Sequence, residues 1–478
     1  MQARNSISWP FLSVAVLALL GGCATPASDT PRVQADAAAA VIPAAWPQPV
    51  AVAGNTASAA VDWSALVSDA RLRDVVKLAL ANNRDLRVAL LTVEQARATY
   101  RIQDAAQRPT LNLNAGQTAT RTPAEASSSG KDTLTRTNSV GIGLAAYELD
   151  FFGRVSNLTE SALQSYLGTE AAQRSTQLSL VGDVVTAWLT LAADQQQLAL
   201  ARDTLKSQQT TYALTEKRKA LGAVSGLALV QTQTTVETAR GNVASYESQV
   251  QRDRNALALL VGQAVPDALL PGSDAITPAT AFTALVGVPE GVPSTVLQRR
   301  PDVLAAEAQL KAAQADMGAA RAALFPRISL TASAGTASRS LDELFQGGAW
   351  NFAPTLVLPI LDGGAAQTAL RKAEITRDIR VASYDKAIQT AFREVADALA
   401  VRASLAERLS AQQALVGAYQ QSLTLADARY KAGADTYLAV LDAQRSLYAA
   451  QQALIALQLT EQSNRVTLYK VLGGGGAM

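Results

Sequence analysis

The sequence contains no histidine and a single cysteine, Cys23, in 478 residues. Without histidine, neither a Cys/His metal site nor a Ser–His–Asp or Cys–His nucleophile system can form. A lone cysteine also excludes an intramolecular disulfide. The sequence therefore predicts no metal and no cofactor. Catalysis by paired carboxylates needs neither residue type, so it stays open as an enzymatic alternative.

Aromatic residues and net charge are also scarce, at 5% and +2. A chain this close to neutrality shows no basic excess of the kind that binds nucleic acid, so no nucleic-acid partner is expected. No uninterrupted apolar run reaches about 18 residues, which predicts that no helix spans a membrane. Any insertion into a membrane would then need β-strands.

The one cysteine lies directly behind an apolar stretch. Residues 11–20 are apolar, and Leu20-Gly21-Gly22 precede Cys23. These residues resemble a bacterial lipobox, which implies that 1–22 is a signal peptide and that Cys23 carries lipid. Residue 24 is Ala, whereas Asp there often signals retention in the inner membrane, so the outer membrane is expected. A plain signal peptide with a chance cysteine is the alternative.

Proline is absent between Pro123 and Pro266 and again after Pro359. Two long blocks without proline, separated by a Pro-rich connector, suggest an internal duplication. The sequence supports it directly, since residues 84–115 align with 301–332 at an offset of 217, and 214–233 align with 425–444 at an offset of 211.

Each repeat shows the same order of patterns. A helical pattern stops at a proline, and two runs of alternating hydrophobicity follow, separated by a polar loop. A proline-free helical stretch comes next, and a glycine and a returning helix of about 36 residues close the repeat. The runs, loops and long helices are expected near Leu111–Ala115, 121–137, Val140–Leu144 and Arg154–Leu221 in the first repeat, and Ile328–Ala334, 338–349, Leu356–Ile360 and Ala365–Ala432 in the second.

Four strands in one chain are too few to close a β-barrel. Bacterial outer-membrane barrels need at least about eight strands, and an open sheet edge in lipid leaves backbone groups unpaired. If these strands span a membrane, the barrel must therefore be assembled from several chains.

Several motifs carry a resemblance to a known family. They are the lipobox, the twofold repeat, "YELDFFGR" (147–154), "RRPDV" (299–303), "LFPRISL" (324–330), "LPILDGG" (358–364) and "YKAGADTYLAVLDAQRSL" (430–447). Together they resemble the TolC-type outer membrane factors, and in particular the lipoprotein (NodT-like) outer membrane subunits of tripartite efflux systems. The resemblance covers nearly the whole mature chain.

The resemblance implies a mainly α fold with an internal twofold repeat. Three chains would form a homotrimer with a 12-stranded β-barrel in the outer membrane, four strands per chain, above a long periplasmic helical barrel. The implied function is a passive exit duct, joined by a periplasmic adaptor to an inner-membrane pump. The alternatives are an elongated coiled-coil structural lipoprotein without channel activity and the adaptor itself, although an adaptor would have one hairpin rather than two.

The same patterns divide the chain into segments. After the signal peptide we expect an extended lipid-anchored segment (23–62), the first repeat (63–265), an equatorial connector (266–296), the second repeat (297–473) and a short tail (474–478).

The resemblance also points to residues at the periplasmic end. The two turns after the long helices are expected to meet the adaptor, and their residues are Gly222, Ser225, Gly433 and Thr436. Leu438 and Asp442 lie four apart on one helix face and match the gate residues of the resembling branch. At the matching positions the first repeat has Leu227 and Gln231. Ordinary helix caps at the turns, and a core leucine beside a solvated aspartate, are the bland alternatives.

Overall fold

The computed structural model of the protein describes residues 63–272 and 294–474. Cys23, the predicted segment 23–62 and most of the predicted connector lie outside these residues. The chain forms two compact units. A strand-bearing unit contains Thr99–Leu163 and Lys311–Ile379, and a helical unit contains the other described residues.

Eight α-helices and four strands make up the described part of the chain. In order, they are α1 (Trp63–Leu66), α2 (Ala70–Asn82), α3 (Arg84–Ala105), β1 (Leu111–Thr122), β2 (Thr133–Leu149), α4 (Arg154–Ala220), α5 (Gly226–Val261), α6 (Pro301–Ala322), β3 (Arg327–Ser338), β4 (Gly348–Val357), α7 (Ala365–Lys431) and α8 (Tyr437–Val471). Each half of the chain thus has the predicted order of a helix, two strands and a long helical hairpin.

The two long helices confirm the prediction to within one residue at each end. Helices α4 and α7 have 67 residues each, and α5 and α8 return over 36 and 35 residues. No proline interrupts them, and each long helix stops just before a glycine with positive φ, Gly222 (72°) or Gly433 (74°). At about 1.5 Å per residue, 67 residues correspond to roughly 100 Å of helix.

Some of the predicted ends were wrong. Helices α3 and α6 end at Ala105 and Ala322, one turn before the prolines that were expected to stop them. The last strand run was expected at Leu356–Ile360, but β4 spans Gly348–Val357 and ends three residues before Ile360. Its partner strand explains the end, because Val357 pairs with Arg327, the first residue of β3, and Pro359 has no N–H to donate.

The strand-bearing unit contains one antiparallel sheet in the order β1-β2-β3-β4. Gly141 of β2 faces Gly335 of β3, and a Cβ on Gly335 would lie 2.2 Å from the Val140 oxygen, so this position has no room for a side chain. Strands β1 and β4 have no further partner in the sheet of the described chain. Pro354 fits in β4 because an edge strand tolerates a missing N–H.

The aromatic residues near the strands do not share one role. The Tyr147 hydroxyl donates to the Gln107 carbonyl at 2.9 Å, and Phe152 stacks on Phe325 with ring centroids 4.9 Å apart. These two residues therefore pack where strands meet helices. Phe151 and Phe352, by contrast, are exposed, at 64% and 60%.

The helical unit has its core around the middle of α4. One stripe of this helix is buried, and its residues Val181, Val185 and Trp188 are each 2% exposed. The Trp188 Nε1 donates to the Leu269 carbonyl at 3.1 Å, which satisfies its one polar group. The core also includes α2, with Leu72 and Val75 fully buried.

One described helix, α4, contains an 18-residue window apolar enough by composition to cross a membrane. This differs from the expectation drawn from uninterrupted runs, because a mean over a window tolerates scattered polar residues. Within the chain, 61% of that window is buried. Such burial is typical of a core helix.

A joint closes each hairpin, and it has the same geometry in both repeats. Asn83 lies just before α3, and its Nδ2 donates to the Leu260 carbonyl at 2.8 Å, in the last turn of α5. Arg300 lies just before α6, and its Nη1 donates to the Val471 carbonyl at 2.8 Å, at the end of α8. These are the residues that the offsets of 217 and 211 match.

The two joints use different chemistry. Asn83 is a neutral amide, and its Oδ1 also accepts from the Leu86 N–H at 2.8 Å. The Arg300 side chain is 8% exposed and forms ion pairs with Asp302 at 2.7 Å and Glu394 at 2.8 Å. It borders a cleft of about 880 Å³ within the helical unit. The "RRPDV" motif therefore has a structural role at the hairpin end.

Candidate functional site

The two turns predicted to form the tips have the same backbone. The N–H of Gly222 donates to the Lys219 carbonyl and the N–H of Ala223 to the Arg218 carbonyl, each at 2.9 Å. The second turn repeats both bonds at Gly433 and Ala434, at 3.0 and 2.9 Å. This pair of bonds is the Schellman motif, which needs a left-handed residue at the glycine position. Both glycines are therefore explained as helix caps whether or not they meet a partner.

The residues that start the returning helices differ. Ser225 precedes α5, and its Oγ accepts from the Ala228 N–H at 3.3 Å. Thr436 precedes α8 with similar backbone angles but makes no capping bond through its side chain. Both residues are exposed. The Ser225 side chain therefore caps its helix, whereas the Thr436 side chain does not.

The tips also differ in charge. Across the second turn, Arg429 and Asp435 form an ion pair at 3.2 Å, and this contact holds the pKa of Asp435 below its usual range. At the position matching Asp435 the first turn has Val224. The second turn thus contains a carboxylate and an ion pair at a position where the first turn has an apolar side chain.

A contact that sequence analysis did not anticipate joins the two hairpins near their tips. The Arg218 guanidinium donates to the Tyr430 hydroxyl at 3.1 Å and lies 5.6 Å from the centre of that ring. The Tyr430 ring meets Tyr437 at 5.2 Å, and burial raises the pKa of Tyr437 to about 12. Sequence alignment of the repeats hides this contact, because the position matching Tyr430 is Lys219.

The proposed gate residues both lie at the start of α8. Leu438 is 51% exposed, so it does not belong to the core of its own chain. The Asp442 side chain is 65% exposed, and it lies 3.9 Å from the guanidinium of Arg445. Leu227, which matches Leu438, is 68% exposed. The chain thus presents an apolar side chain one turn past each tip, and a carboxylate beside only one of them.

Comparison with known proteins shows which family has this architecture. The model of the outer membrane efflux protein family matches residues 75–263 and 292–474. The chain belongs to the outer membrane efflux protein family. The gap between the two matched segments, residues 264–291, covers most of the predicted connector. The resemblance noted from the sequence motifs is therefore confirmed, and this outer membrane efflux protein is a transport component by family.

Individual relatives agree. The toluene efflux pump outer membrane protein TtgC of Pseudomonas putida is 44% identical over 473 residues, which cover 97% of this chain and 95% of the relative. Among solved structures, CusC matches with a TM-score of 0.80 and 39% identity, covering 90% of this chain and 98% of that chain. The open state of the MtrE outer membrane channel of Neisseria gonorrhoeae matches with a TM-score of 0.79 and 35% identity, covering 91% and 98%.

These matches confirm the predicted fold class. This outer membrane efflux protein is mainly helical, carries one four-stranded sheet, repeats its architecture twice, and has the fold of outer membrane channels. Its place is the outer membrane, as an efflux pump component. The alternative of a coiled-coil protein without channel activity gains no support from these relatives.

Proposed function

We propose that three copies of this outer membrane efflux protein form one passive exit duct for small organic compounds. The observation that carries the proposal is the sheet of four strands with two open edges. The strands have 12, 17, 12 and 10 residues, and about 9 to 11 residues suffice to span a bilayer. In lipid the free edges of β1 and β4 need partners, and three sheets joined edge to edge would supply about 12 strands.

Helix burial supports the same assembly. Only six of the 36 residues of α5 are buried within the chain. A long helix that leaves most of its surface exposed gains little stability from its own chain and gains more by packing against neighbours. We also propose that the chain consists of two repeats joined by a connector at 266–296.

The partners and the cargo follow by analogy. A duct in the outer membrane has no energy source of its own, so an inner-membrane pump and a periplasmic adaptor would deliver the cargo. The relative TtgC is named as part of a toluene efflux pump, and at 44% identity the same class of cargo is proposed here. The Schellman turns at Gly222 and Gly433 would meet the adaptor through the exposed side chains of Ser225 and Thr436. A bulky substitution at Thr436 that leaves efflux unchanged would count against that contact.

Leu438 and Asp442 would form the gate. Three copies of Leu438 around one axis would make an apolar neck that resists wetting, and three copies of Asp442 would add a negative ring. In single-channel recordings from planar bilayers, the double variant Leu438→Ala, Asp442→Ala should raise the conductance. The trimer should keep its mass and thermal stability, because neither side chain belongs to the core of its own chain.

The first repeat supplies a matched control. Gln231→Ala changes the residue that corresponds to Asp442 but removes no charge, so ion selectivity should stay at the wild-type value. Asp442→Ala alone should weaken cation preference. Unchanged conductance in the double variant together with a lowered melting temperature would remove both residues from the gate.

The lipid anchor at Cys23 completes the proposal. Two or more acyl chains would give stable attachment, whereas a single chain binds reversibly. Mass spectrometry of the mature N-terminal peptide tests it, since an unmodified Cys23 or cleavage elsewhere contradicts a lipoprotein.

A further inference from the structure

With the exception of Val357 at the end of β4, the large apolar side chains of the four strands lie on one face of the sheet, which we call the apolar face. Side chains alternate between the two faces along each strand, and residues paired across strands share a face. Leu113 pairs with Ile142, Ile142 with Ala334, and Ala334 with Trp350, so one row of this face crosses the whole sheet. The following side chains are each between 55% and 81% exposed: Leu111, Leu113, Ile142, Trp350, Phe352 and Leu356.

The opposite face carries small or polar side chains. In the row next to the one just described, Asn112 pairs with Gly143, Gly143 with Ser333, and Ser333 with Asn351. From this row to the loop ends of β1 and β2, the described strands have no ionisable side chain on this face. The face therefore presents amides, hydroxyls, methyl groups and backbone.

The charged residues on the opposite face of the described strands are Glu148 and Arg327, and both lie at the helix end of the sheet. The Glu148 carboxylate lies 2.7 Å from the guanidinium of Arg154, in the first turn of α4, and 3.6 Å from that of Arg327. Fixed charge on this face is therefore confined to the junction between the strands and the helices.

The apolar face has a defined height. Along β4, the residues from Trp350 to Leu356 extend about 20 Å, at about 3.3 Å per residue. Toward the loops the face ends at a polar row, in which the Gln117 Nε2 donates to the Asn138 Oδ1 at 2.9 Å. Beyond this row β3 ends, and β1 and β2 continue as a two-stranded ribbon with Arg136 on the same face. The height is close to that of the apolar band of outer-membrane barrels, about 25 Å.

Lipid hydrocarbon is the neighbour that suits the apolar face. The protein is an outer membrane component, and a contiguous apolar surface of this kind is unfavourable in water. The reverse orientation would place the amides of Asn112 and Asn351 in hydrocarbon, where polar groups find no partners. The row from Leu113 to Trp350 reaches both edge strands, so it continues into the sheets of neighbouring copies as a belt around a barrel does. A docking patch for one protein partner would not need to reach both edges.

We propose, on the basis of the three-copy duct proposed above, that the apolar face contacts lipid hydrocarbon around the whole barrel and that the opposite face is an uncharged wall of the duct. Cargo that crosses the membrane then meets amides, hydroxyls and backbone but no fixed charge. Discrimination between cargo molecules by charge therefore occurs outside the β-barrel, in the helical part of the duct.

Spin labels on neighbouring residues test the two faces. Ala332→Cys and Ser333→Cys place a label on opposite faces of β3, and the wild type, treated in the same way, measures any labelling of Cys23. The full chain is reconstituted in vesicles of phosphatidylethanolamine and phosphatidylglycerol. Collisions with oxygen, which dissolves in hydrocarbon, are compared with collisions with a neutral, water-soluble nickel complex. The ratio of oxygen to nickel collisions should be several-fold higher for the label at 332 than for the label at 333.

The two-stranded ribbon supplies a matched control pair. Thr118→Cys and Ala119→Cys also place labels on opposite faces, but both positions lie beyond the polar row of Gln117 and Asn138. Both labels should therefore collide mainly with the nickel complex. A label at 119 that prefers oxygen as strongly as the label at 332 would contradict the proposed height of the lipid contact.

An anionic chromium complex reads the charge of the wall. At about 0.15 M salt, charges more than about 8 Å away are largely screened, so the label at 333 reports its own surroundings. The ratio of chromium to nickel collisions at 333 should equal that of the free label in solution. A several-fold excess or deficit would overturn the uncharged wall.

Two further results would overturn the assignment of the faces. A label at 332 that collides poorly with both oxygen and the nickel complex would show that protein covers the apolar face. A label at 332 that prefers the nickel complex would place this face in water. The mass of the same labelled protein in detergent separates these failures from a failure of the duct itself. A monomeric mass contradicts three copies, whereas a trimeric mass with reversed collision ratios contradicts the faces alone.

Discussion

The two hairpins of the helical unit have helices of nearly equal length and the same turns, but they bury different numbers of residues. Helix α5 buries six of its 36 residues within the chain, whereas α8 buries fifteen of its 35. Close to the tip, Val230 is 56% exposed, while the matching Leu441 is 2% exposed. Duplication has kept the backbone, because caps and helix lengths depend on a few residues, and it has left each face free to acquire its own contacts. The second hairpin completes more of its packing alone, and the first leaves more surface for other chains.

The largest difference between the repeats is expected at the glycines that end the returning helices. A Cβ on Gly262, at a φ of 80°, would lie 2.4 Å from the Asn82 oxygen, whereas on Gly473, at 89°, the nearest atom is the Arg300 Cγ at 3.3 Å. Gly262→Ala should therefore lower the free energy of unfolding by about 3 kcal/mol, and Gly473→Ala by about 1 kcal/mol, which corresponds to backbone strain alone.

Thermal unfolding of both variants in the same detergent measures this difference. Backbone oxygen atoms cannot move aside, but a flexible arginine side chain can. Equal losses in the two variants would show that the joints tolerate a side chain equally and that the close approach to Asn82 relaxes.

The joints themselves should give the next largest effect. Arg300→Ala removes the cation from Asp302 and Glu394 and the donor from the Val471 carbonyl. Breaking a fully buried ion pair costs about 3–5 kcal/mol, but both carboxylates here are about a third exposed or more, so about 2 kcal/mol is expected. Asn83→Ala should cost about 1 kcal/mol, the value of neutral hydrogen bonds.

Arg300→Asn tests the difference between the joints directly, because it places in the second joint the asparagine that the first joint has at Asn83. Chemical denaturation of the three variants separates two origins of stability. If Arg300→Asn is as stable as the wild type, the second joint needs only a neutral donor, and the ion pairs add nothing measurable.

The smallest effect concerns the caps at the two tips. Ser225→Ala removes the bond to the Ala228 N–H and should lower stability by about 1 kcal/mol. Thr436→Ala removes no capping bond from its side chain and should change stability by less than about 0.5 kcal/mol. Amide hydrogen exchange in the first turns of α5 and α8 reads each cap locally, and faster exchange after Thr436→Ala would contradict the difference.

Sequence patterns predicted the long helices well because their ends depend on local chemistry. Proline-free stretches, the glycines at 222 and 433 and the twofold offset defined α4 and α7 to within one residue. The end of β4 was missed because it depends on where its partner strand begins, which is not a local property.

The contacts that distinguish the hairpins were beyond prediction for the same reason. Asn83 meets Leu260 across 177 residues, and Arg218 meets Tyr430 across 212. The tip and gate positions rested on the family resemblance, and their roles remain predictions.

The equal length of α4 and α7 limits how this protein can change size during evolution. One inserted residue turns everything beyond it by about 100° around the helix axis, so the buried stripe of Val181, Val185 and Trp188 would lose its alignment with the residues farther along. Insertions of about seven residues, or two turns, nearly restore the stripe. The returning helix must grow by the same amount to keep its joint at Asn83 or Arg300. Relatives of different height should therefore differ by whole pairs of turns, added to both arms of a hairpin together.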